Sequence, residues 1–132
     1  MATIVVVEDQ PDNLKLLTTL LTIKGHQVIG LPNGDRVAEV LRTHQPAPSL
    51  VLLDIQLPGR DGYEVLEELL ALPERSWKVV ALTAHALPED RERAKAAGFD
   101  GYLHMHFPEI SYRQMLHGDT LALEFYFILR PL

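Results

Sequence analysis

The chain has no cysteine, so disulfide bonds, thiolate metal sites and cysteine nucleophiles are excluded. It also lacks an excess of basic residues, because 18 acidic side chains outnumber 12 lysines and arginines and leave a formal net charge of −6. Direct binding to nucleic acid is therefore not expected. The longest late apolar stretch, residues 121–129, contains Glu124 and is well below the ~20 residues that span a membrane. We therefore predict no membrane segment.

The residues that are present suit one globular domain. The 132 residues are 47% hydrophobic and 23% charged, which is enough apolar material for one core. An apolar start at residues 3–7 runs at once into Glu8 and Asp9, which is too short and too acidic for a signal peptide. We predict a single cytoplasmic domain over residues 1–132.

Short apolar runs alternate with segments of helical period. Strands are predicted at residues 4–7, 27–31, 50–53 and 79–82, and a fifth begins at residue 101. Helices are predicted between them, with Asp12, Asp35 and Asp61 as N-caps of the first three and Pro88 in the first turn of the fourth. Strands that alternate with helices need right-handed crossovers, so we predict an α/β fold with a doubly wound parallel sheet.

Acidic residues follow the predicted strands at the edge where such sheets bind ligands. Glu8 and Asp9 end the first strand, Asp54 ends the third, and Thr83 ends the fourth. Taken alone, Asp9 would be read as a helix cap and Thr83 as an ordinary strand residue. Together, three carboxylates at one edge repel one another unless a cation joins them, and oxygen ligands without cysteine favour Mg²⁺.

Four ordered motifs carry a resemblance to a known family. They are Val5-Val6-Val7-Glu8-Asp9, Leu53-Asp54-Ile55-Gln56-Leu57-Pro58-Gly59-Arg60-Asp61-Gly62, Ala81-Leu82-Thr83-Ala84 and Ala96-Ala97-Gly98-Phe99-Asp100-Gly101-Tyr102-Leu103. In these motifs the sequence resembles the CheY-like receiver domain of bacterial two-component response regulators. The resemblance covers residues 1–103 and leaves residues 104–132 as a divergent tail.

The resemblance implies a flavodoxin-like (βα)5 fold, with the final helix uncertain or replaced, and phosphorylation on aspartate. It places the phosphoacceptor at Asp54. It implies that Glu8, Asp9 and Asp54 hold Mg²⁺, with the backbone carbonyl of Gln56 as a further ligand. Such a domain is a signalling module rather than an enzyme with a separate substrate.

The resemblance also implies a switch and its partners. Thr83 would be the switch hydroxyl and Tyr102 the aromatic residue that follows it, while Gln56 and His85 would tune dephosphorylation. An exposed position is an almost equal interpretation of these last two residues. The implied partners are a sensor histidine kinase or histidine phosphotransfer protein, which donates the phosphoryl group, and a downstream effector protein.

The sequence departs from the family at the end of the fifth strand. Receivers carry a lysine three residues after the switch aromatic, and here that position is Met105. His104 or His106 would carry positive charge when protonated and could substitute for it. A transition-metal site formed by His85, His104 and His106 is a lesser alternative.

The tail after residue 103 allows several interpretations. Apolar residues at the odd positions of residues 121–129 suit a strand, but a helical spacing fits equally well. The tail is either a natural variant that forms another packing or homodimer surface, or the product of an altered reading frame near codon 104.

Three functions compete for this sequence. The leading one is a phosphoacceptor receiver. The alternative is a phosphorylation-impaired pseudo-receiver that acts as an interaction module, which Met105 favours. A Mg²⁺-dependent aspartyl phosphatase is a third, but it would need a second aspartate where Gln56 stands.

Overall fold

A computed structural model describes residues 2–73, 75–83 and 87–104. For His104 it describes the backbone only. The described chain contains one parallel sheet of five strands in the order β2-β1-β3-β4-β5. The strands are β1 (Thr3–Val7), β2 (Gln27–Leu31), β3 (Leu50–Asp54), β4 (Lys78–Thr83) and β5 (Gly101–His104). This confirms the predicted doubly wound α/β fold, since consecutive strands are joined by helices and lie parallel.

Four helices connect the strands. They are α1 (Pro11–Ile23), α2 (Val37–Thr43), α3 (Gly62–Leu70) and α4 (Pro88–Ala97). The strand order changes direction between β1 and β3, because the chain first moves outward to β2 and then returns past β1. Ligands bind at such switch points in open α/β sheets. Among the described helices, none is long and apolar enough to cross a membrane.

The strands β1, β3 and β4 are buried on both faces, as their continuous apolar runs predict, whereas the edge strand β2 is only partly buried. Val5 and Val7 of β1 belong to the core cluster shared with α2 and α3, whereas Ile4 and Val6 belong to the cluster that packs on α1. The alternation follows from the strand itself, in which successive side chains point to opposite faces. β1 is thereby fixed in register, and the residues that follow it have a defined position at the sheet edge.

Two predicted helix caps were wrong. Gln10 is the N-cap of α1, with Pro11 as the first helical residue, so Asp12 lies inside the first turn. Arg36 is the N-cap of α2, whereas Asp35 precedes it and donates its backbone N–H to the Asn33 side chain at 3.0 Å. Asp12 lies two residues after the N-cap of α1, and Asp35 lies one residue before the N-cap of α2.

The cap of α3 was predicted correctly and is tied to β3. The Asp61 carboxylate accepts a hydrogen bond from the backbone N–H of Glu64 at 3.0 Å. The next residue, Gly62, donates its N–H to the carbonyl of Ile55 at 2.8 Å. The start of α3 is therefore held against the chain segment that leaves the end of β3.

The predictions for His85, Met105, His106 and the tail concern residues outside the described ones, as does any prediction for the side chain of His104. The extent of the domain over residues 1–132 stays a prediction.

Replacement of Gly62 by alanine should destabilise the fold by about 1–3 kcal/mol, the usual cost of overpacking. A methyl group there would lie 2.5 Å from the Asp54 carbonyl oxygen and 2.6 Å from Ile55 Cα, both of which are backbone atoms. Urea unfolding of Gly62→Ala measures the effect. The control is Gly30→Ala, where a methyl group meets side-chain atoms of Leu14 and Thr18 at 3.3 Å. Equal unfolding midpoints for the two variants would contradict this account of Gly62.

Candidate functional site

The parallel register brings the predicted site residues together at one edge of the sheet. Val7 pairs with Leu53, so Glu8 and Asp54 leave neighbouring strands at the same level. Asp54 pairs with Leu82, which precedes Thr83 at the end of β4. The three strand ends are adjacent in space although they are far apart in sequence.

Three carboxylates form one cluster. Oxygen atoms of Glu8, Asp9 and Asp54 lie within 4.8 Å of one another. Glu8 is buried, with 4% of its surface exposed, whereas Asp9 and Asp54 are half-buried. We call the pocket that they line, with a volume of about 200 Å³, the acid pocket. Its described lining residues are Glu8, Asp9, Gln10, Asn13, Asp54, Gln56, Leu82 and Thr83.

Backbone donors fix two of the carboxylates. Gln10 donates its N–H to Glu8 Oε1 at 3.1 Å, and Gln56 donates its N–H to Asp54 Oδ1 at 2.9 Å. In each case the donor lies two residues after the acid, so the chain turns sharply as it leaves the strand. These turns hold the carboxylates at the edge while leaving further oxygen lone pairs free to accept other ligands.

Burial raises the free energy of the state in which all three carboxyl groups are ionised. The pKa of Glu8 is raised to about 8 from its ordinary 4.5, first by burial and then by its hydrogen bond with Asp54 and the negative charge of Asp54. The pKa of Asp54 is also raised, mainly by burial. Hard oxygen ligands that are crowded in this way fit a divalent cation such as Mg²⁺, since its charge offsets their repulsion.

Thr83 and Tyr102 lie on neighbouring strands beside the acid pocket. Tyr102 is buried, with 5% of its surface exposed, and belongs to the core cluster on the α2–α3 face. Burial raises the pKa of Tyr102, and a hydrogen bond with Thr83 opposes that rise. The structure therefore places both predicted switch residues in contact with each other.

The chain matches the family model described as the response regulator receiver domain over residues 4–117. It belongs to that family. The match continues past Leu103, the last residue of the motifs that carry the resemblance in the sequence. Receiver domains are signalling modules, and this one keeps the acidic cluster at the carboxyl edge of its sheet.

Two relatives show the contexts in which such receivers occur. The sensor protein GacS of Pseudomonas syringae pv. syringae is 39% identical over 101 residues, which cover 74% of this chain but only 11% of GacS. The polar-differentiation response regulator DivK of Brucella anthropi is 37% identical over 101 residues, which cover 76% of this chain and 80% of DivK. The receiver thus matches a small part of a large sensor and most of a small regulator.

A solved structure matches both the fold and the type of site. The receiver domain of the sensor histidine kinase PA1611 from Pseudomonas aeruginosa PAO1 has a TM-score of 0.69 and 29% identity to this chain. The match covers 92% of this chain and 95% of that one. That structure contains a magnesium ion in its active-site cleft.

Sequence reasoning missed a second pocket of this receiver, which we call the side pocket. It has a volume of about 250 Å³. Its described lining residues are Ile55, Gln56, Asp61, Tyr63, Thr83, Asp90 and Arg93. Asp90, Arg93, Ala94 and Ala97 recur at helical spacing on α4, and this pattern could have placed the charged pair beside the small residues that pack on the sheet.

The metal-free receiver should lose stability as the pH rises from about 4.5 to about 8. Folded Glu8 titrates near 8 and unfolded Glu8 near 4.5, so the folded chain binds more protons in this range and its unfolding free energy falls with pH. Urea unfolding in EDTA at several pH values measures the slope, and Mg²⁺ should restore stability at pH 8.

Glu8→Gln should flatten this pH profile because it removes the carboxylate that is costly to ionise. Glu67→Gln, a change of an exposed glutamate on α3, is the matched control and should keep the parent slope. A parent profile without any slope in EDTA would contradict the electrostatic account of the cluster.

Proposed function

We propose that this receiver accepts a phosphoryl group on Asp54 from a sensor histidine kinase or a histidine phosphotransfer protein of a two-component system. One observation carries the proposal: the Asp54 carboxylate lies with Glu8 and Asp9 in one open pocket, with oxygens of the three residues within 4.8 Å of one another. The family supplies the type of chemistry, and the position of Asp54 at the end of β3 supplies the acceptor.

Glu8, Asp9 and Asp54 would hold Mg²⁺, with the backbone carbonyl of Gln56 as a further ligand. When bound, Mg²⁺ would neutralise negative charge on both the carboxylates and the incoming phosphoryl group. The backbone N–H of Gln56 holds Asp54 Oδ1 in position, and Mg²⁺ would replace the hydrogen bond between Glu8 and Asp54.

The transfer itself requires only a nucleophile and an in-line donor. An oxygen of Asp54 attacks phosphorus, an O–P bond forms, and the N–P bond of the donor phosphohistidine breaks. The electron pair of that bond returns to the imidazole nitrogen, which is the leaving group. Bound Mg²⁺ would favour the ionised form of Asp54 and oppose the rise in its pKa, so the attacking carboxylate would need no dedicated general base.

Thr83 and Tyr102 would convert phosphorylation into a change of surface. The Thr83 hydroxyl would bind the phosphoryl group, and Tyr102 would follow it. Ala94 is the one fully buried residue of α4, which therefore packs lightly and can shift at small cost. We propose the face formed by α4 and β5 as the output surface for a downstream effector protein.

Partners and location follow from the same proposal. A phosphoryl donor of the histidine kinase type places this receiver in the cytoplasm, and neither nucleic acid nor membrane is an expected partner. A homodimer formed through the tail is a further proposal.

Met105 favours a second candidate function, a pseudo-receiver that signals through its surface without phosphorylation. The two candidates differ in one measurable property, which is formation of a phosphoryl adduct on Asp54.

Incubation with acetyl phosphate and Mg²⁺ should add the mass of one phosphoryl group to the chain. Asp54→Asn should abolish the adduct, because the amide is a poor nucleophile. Asp35→Asn, a change of an exposed aspartate before α2, should leave it intact, and EDTA should suppress it. Absence of the adduct from the parent chain with both acetyl phosphate and a phosphorylated kinase would favour the pseudo-receiver.

Gln56 and His85 are proposed to tune the lifetime of that adduct. Gln56 is exposed and lines both the acid pocket and the side pocket. Gln56→Leu should lengthen the phosphoryl lifetime several-fold, because leucine cannot orient a water molecule for attack. Decay of the adduct after removal of acetyl phosphate measures this lifetime, with Gln45→Leu, a change of an exposed glutamine after α2, as control. An unchanged lifetime would assign Gln56 no role in hydrolysis.

A further inference from the structure

The acid pocket needs positive charge that its described lining residues do not supply. Three carboxylates line it, and none of its described lining residues is a lysine or arginine. Transfer of a phosphoryl group to Asp54 brings further negative charge into the same pocket. The sequence places Met105 where the resemblance leads one to expect lysine.

One arginine lies next to this pocket. The acid pocket and the side pocket share Gln56 and Thr83 in their walls, and Arg93 lines the side pocket. Arg93 is exposed on α4, one residue before buried Ala94, and its side chain forms part of the side-pocket wall. A cationic side chain therefore extends into the space that adjoins the acid pocket.

The contacts of Arg93 leave its charge available. Its guanidinium lies over the ring of Tyr63, with 4.2 Å between Cζ and the ring centroid. Within the described ranges, the arginines in ion pairs are Arg36, Arg60 and Arg75, and no carboxylate lies within 4 Å of Arg93. A cation–π contact is weaker than charge-assisted hydrogen bonds to a phosphoryl group.

We propose that Arg93 exchanges the ring of Tyr63 for the phosphoryl group on Asp54 and supplies the positive charge that stabilises it. The inference rests on the proposed function. The guanidinium reaches the phosphoryl oxygens past Gln56 and Thr83 and donates hydrogen bonds to them, and no covalent bond changes in this step. Asp61 and Asp90 line the same side pocket and are the anions that compete for Arg93.

Beryllofluoride with Mg²⁺, a noncovalent substitute for the phosphoryl group, provides the test. Calorimetric titration should show roughly tenfold to hundredfold weaker binding to Arg93→Gln than to the parent chain, the usual effect of losing charge-assisted hydrogen bonds. Lys95→Gln removes an exposed positive charge from the same helix and should bind like the parent. Parent-like binding by a folded Arg93→Gln would overturn the proposal.

Further variants separate the charge of Arg93 from its packing. Tyr63→Leu removes the ring but keeps the guanidinium, so its affinity should equal or exceed that of the parent. Affinity as low as that of Arg93→Gln would mean that only the stacking matters, and would overturn the proposal. Arg93→Lys should retain part of the affinity.

Met105→Lys should restore binding when it is added to Arg93→Gln, because it puts a positive charge at the position where the resemblance leads one to expect lysine. Failure of restoration would count against a role for Arg93 as a source of charge. The proposed function fails in a different way, namely if the parent chain itself takes up neither beryllofluoride nor a phosphoryl group from acetyl phosphate.

Discussion

Repulsion among Glu8, Asp9 and Asp54 is the physical constraint that organises this receiver. The parallel register of β1 and β3 brings Glu8 and Asp54 to adjacent strand ends, and burial of Glu8 denies its carboxylate the solvation that would make ionisation cheap. The cost shows in the raised pKa values of Glu8 and Asp54. The fold therefore stores an electrostatic penalty at one point, and a divalent cation relieves it.

The elements around that cluster differ in how tightly they pack. β1 and β3 are buried on both faces, and α3 is fixed to the segment after β3 by the close backbone approach at Gly62. α4 differs, since Ala94 is its one fully buried residue and its charged Asp90 and Arg93 line the side pocket. A rigid acceptor site beside a lightly packed helix is an arrangement that allows a small chemical change to shift a surface.

The aromatic contacts give α4 its specific position. Arg93 stacks on Tyr63, and Tyr63 meets Phe99 edge to face at a centroid distance of 5.8 Å. Tyr63 belongs to α3 and Phe99 follows α4. These ring contacts therefore connect α3 with α4, which buries only Ala94 fully. The same stack keeps a positive charge near the acid pocket without neutralising it in an ion pair.

Much of this could be predicted from residues alone. The continuous apolar runs predicted buried parallel strands, Gly98 marked the end of α4 with its left-handed backbone at φ 111°, and strand-end acids predicted the cluster. The caps at Asp12 and Asp35 were misplaced, because Gln10 and Arg36 occupy the cap positions without a side-chain cap hydrogen bond, and no residue preference marks such caps in the sequence. The resemblance to receivers supplied the roles of Asp54, Thr83 and Tyr102, which spacing alone does not determine.

The sequence by itself determined the sheet, its strand ends and the identity of the acidic cluster, because alternation and strand-end position depend on local chain geometry. Only the tertiary structure decided how deeply Glu8 is buried and which cation lies beside the pocket. Both depend on how helices that are distant in sequence pack across the sheet. Arg93 and Tyr63 are 30 residues apart and acquire a common role only when α3 and α4 lie side by side.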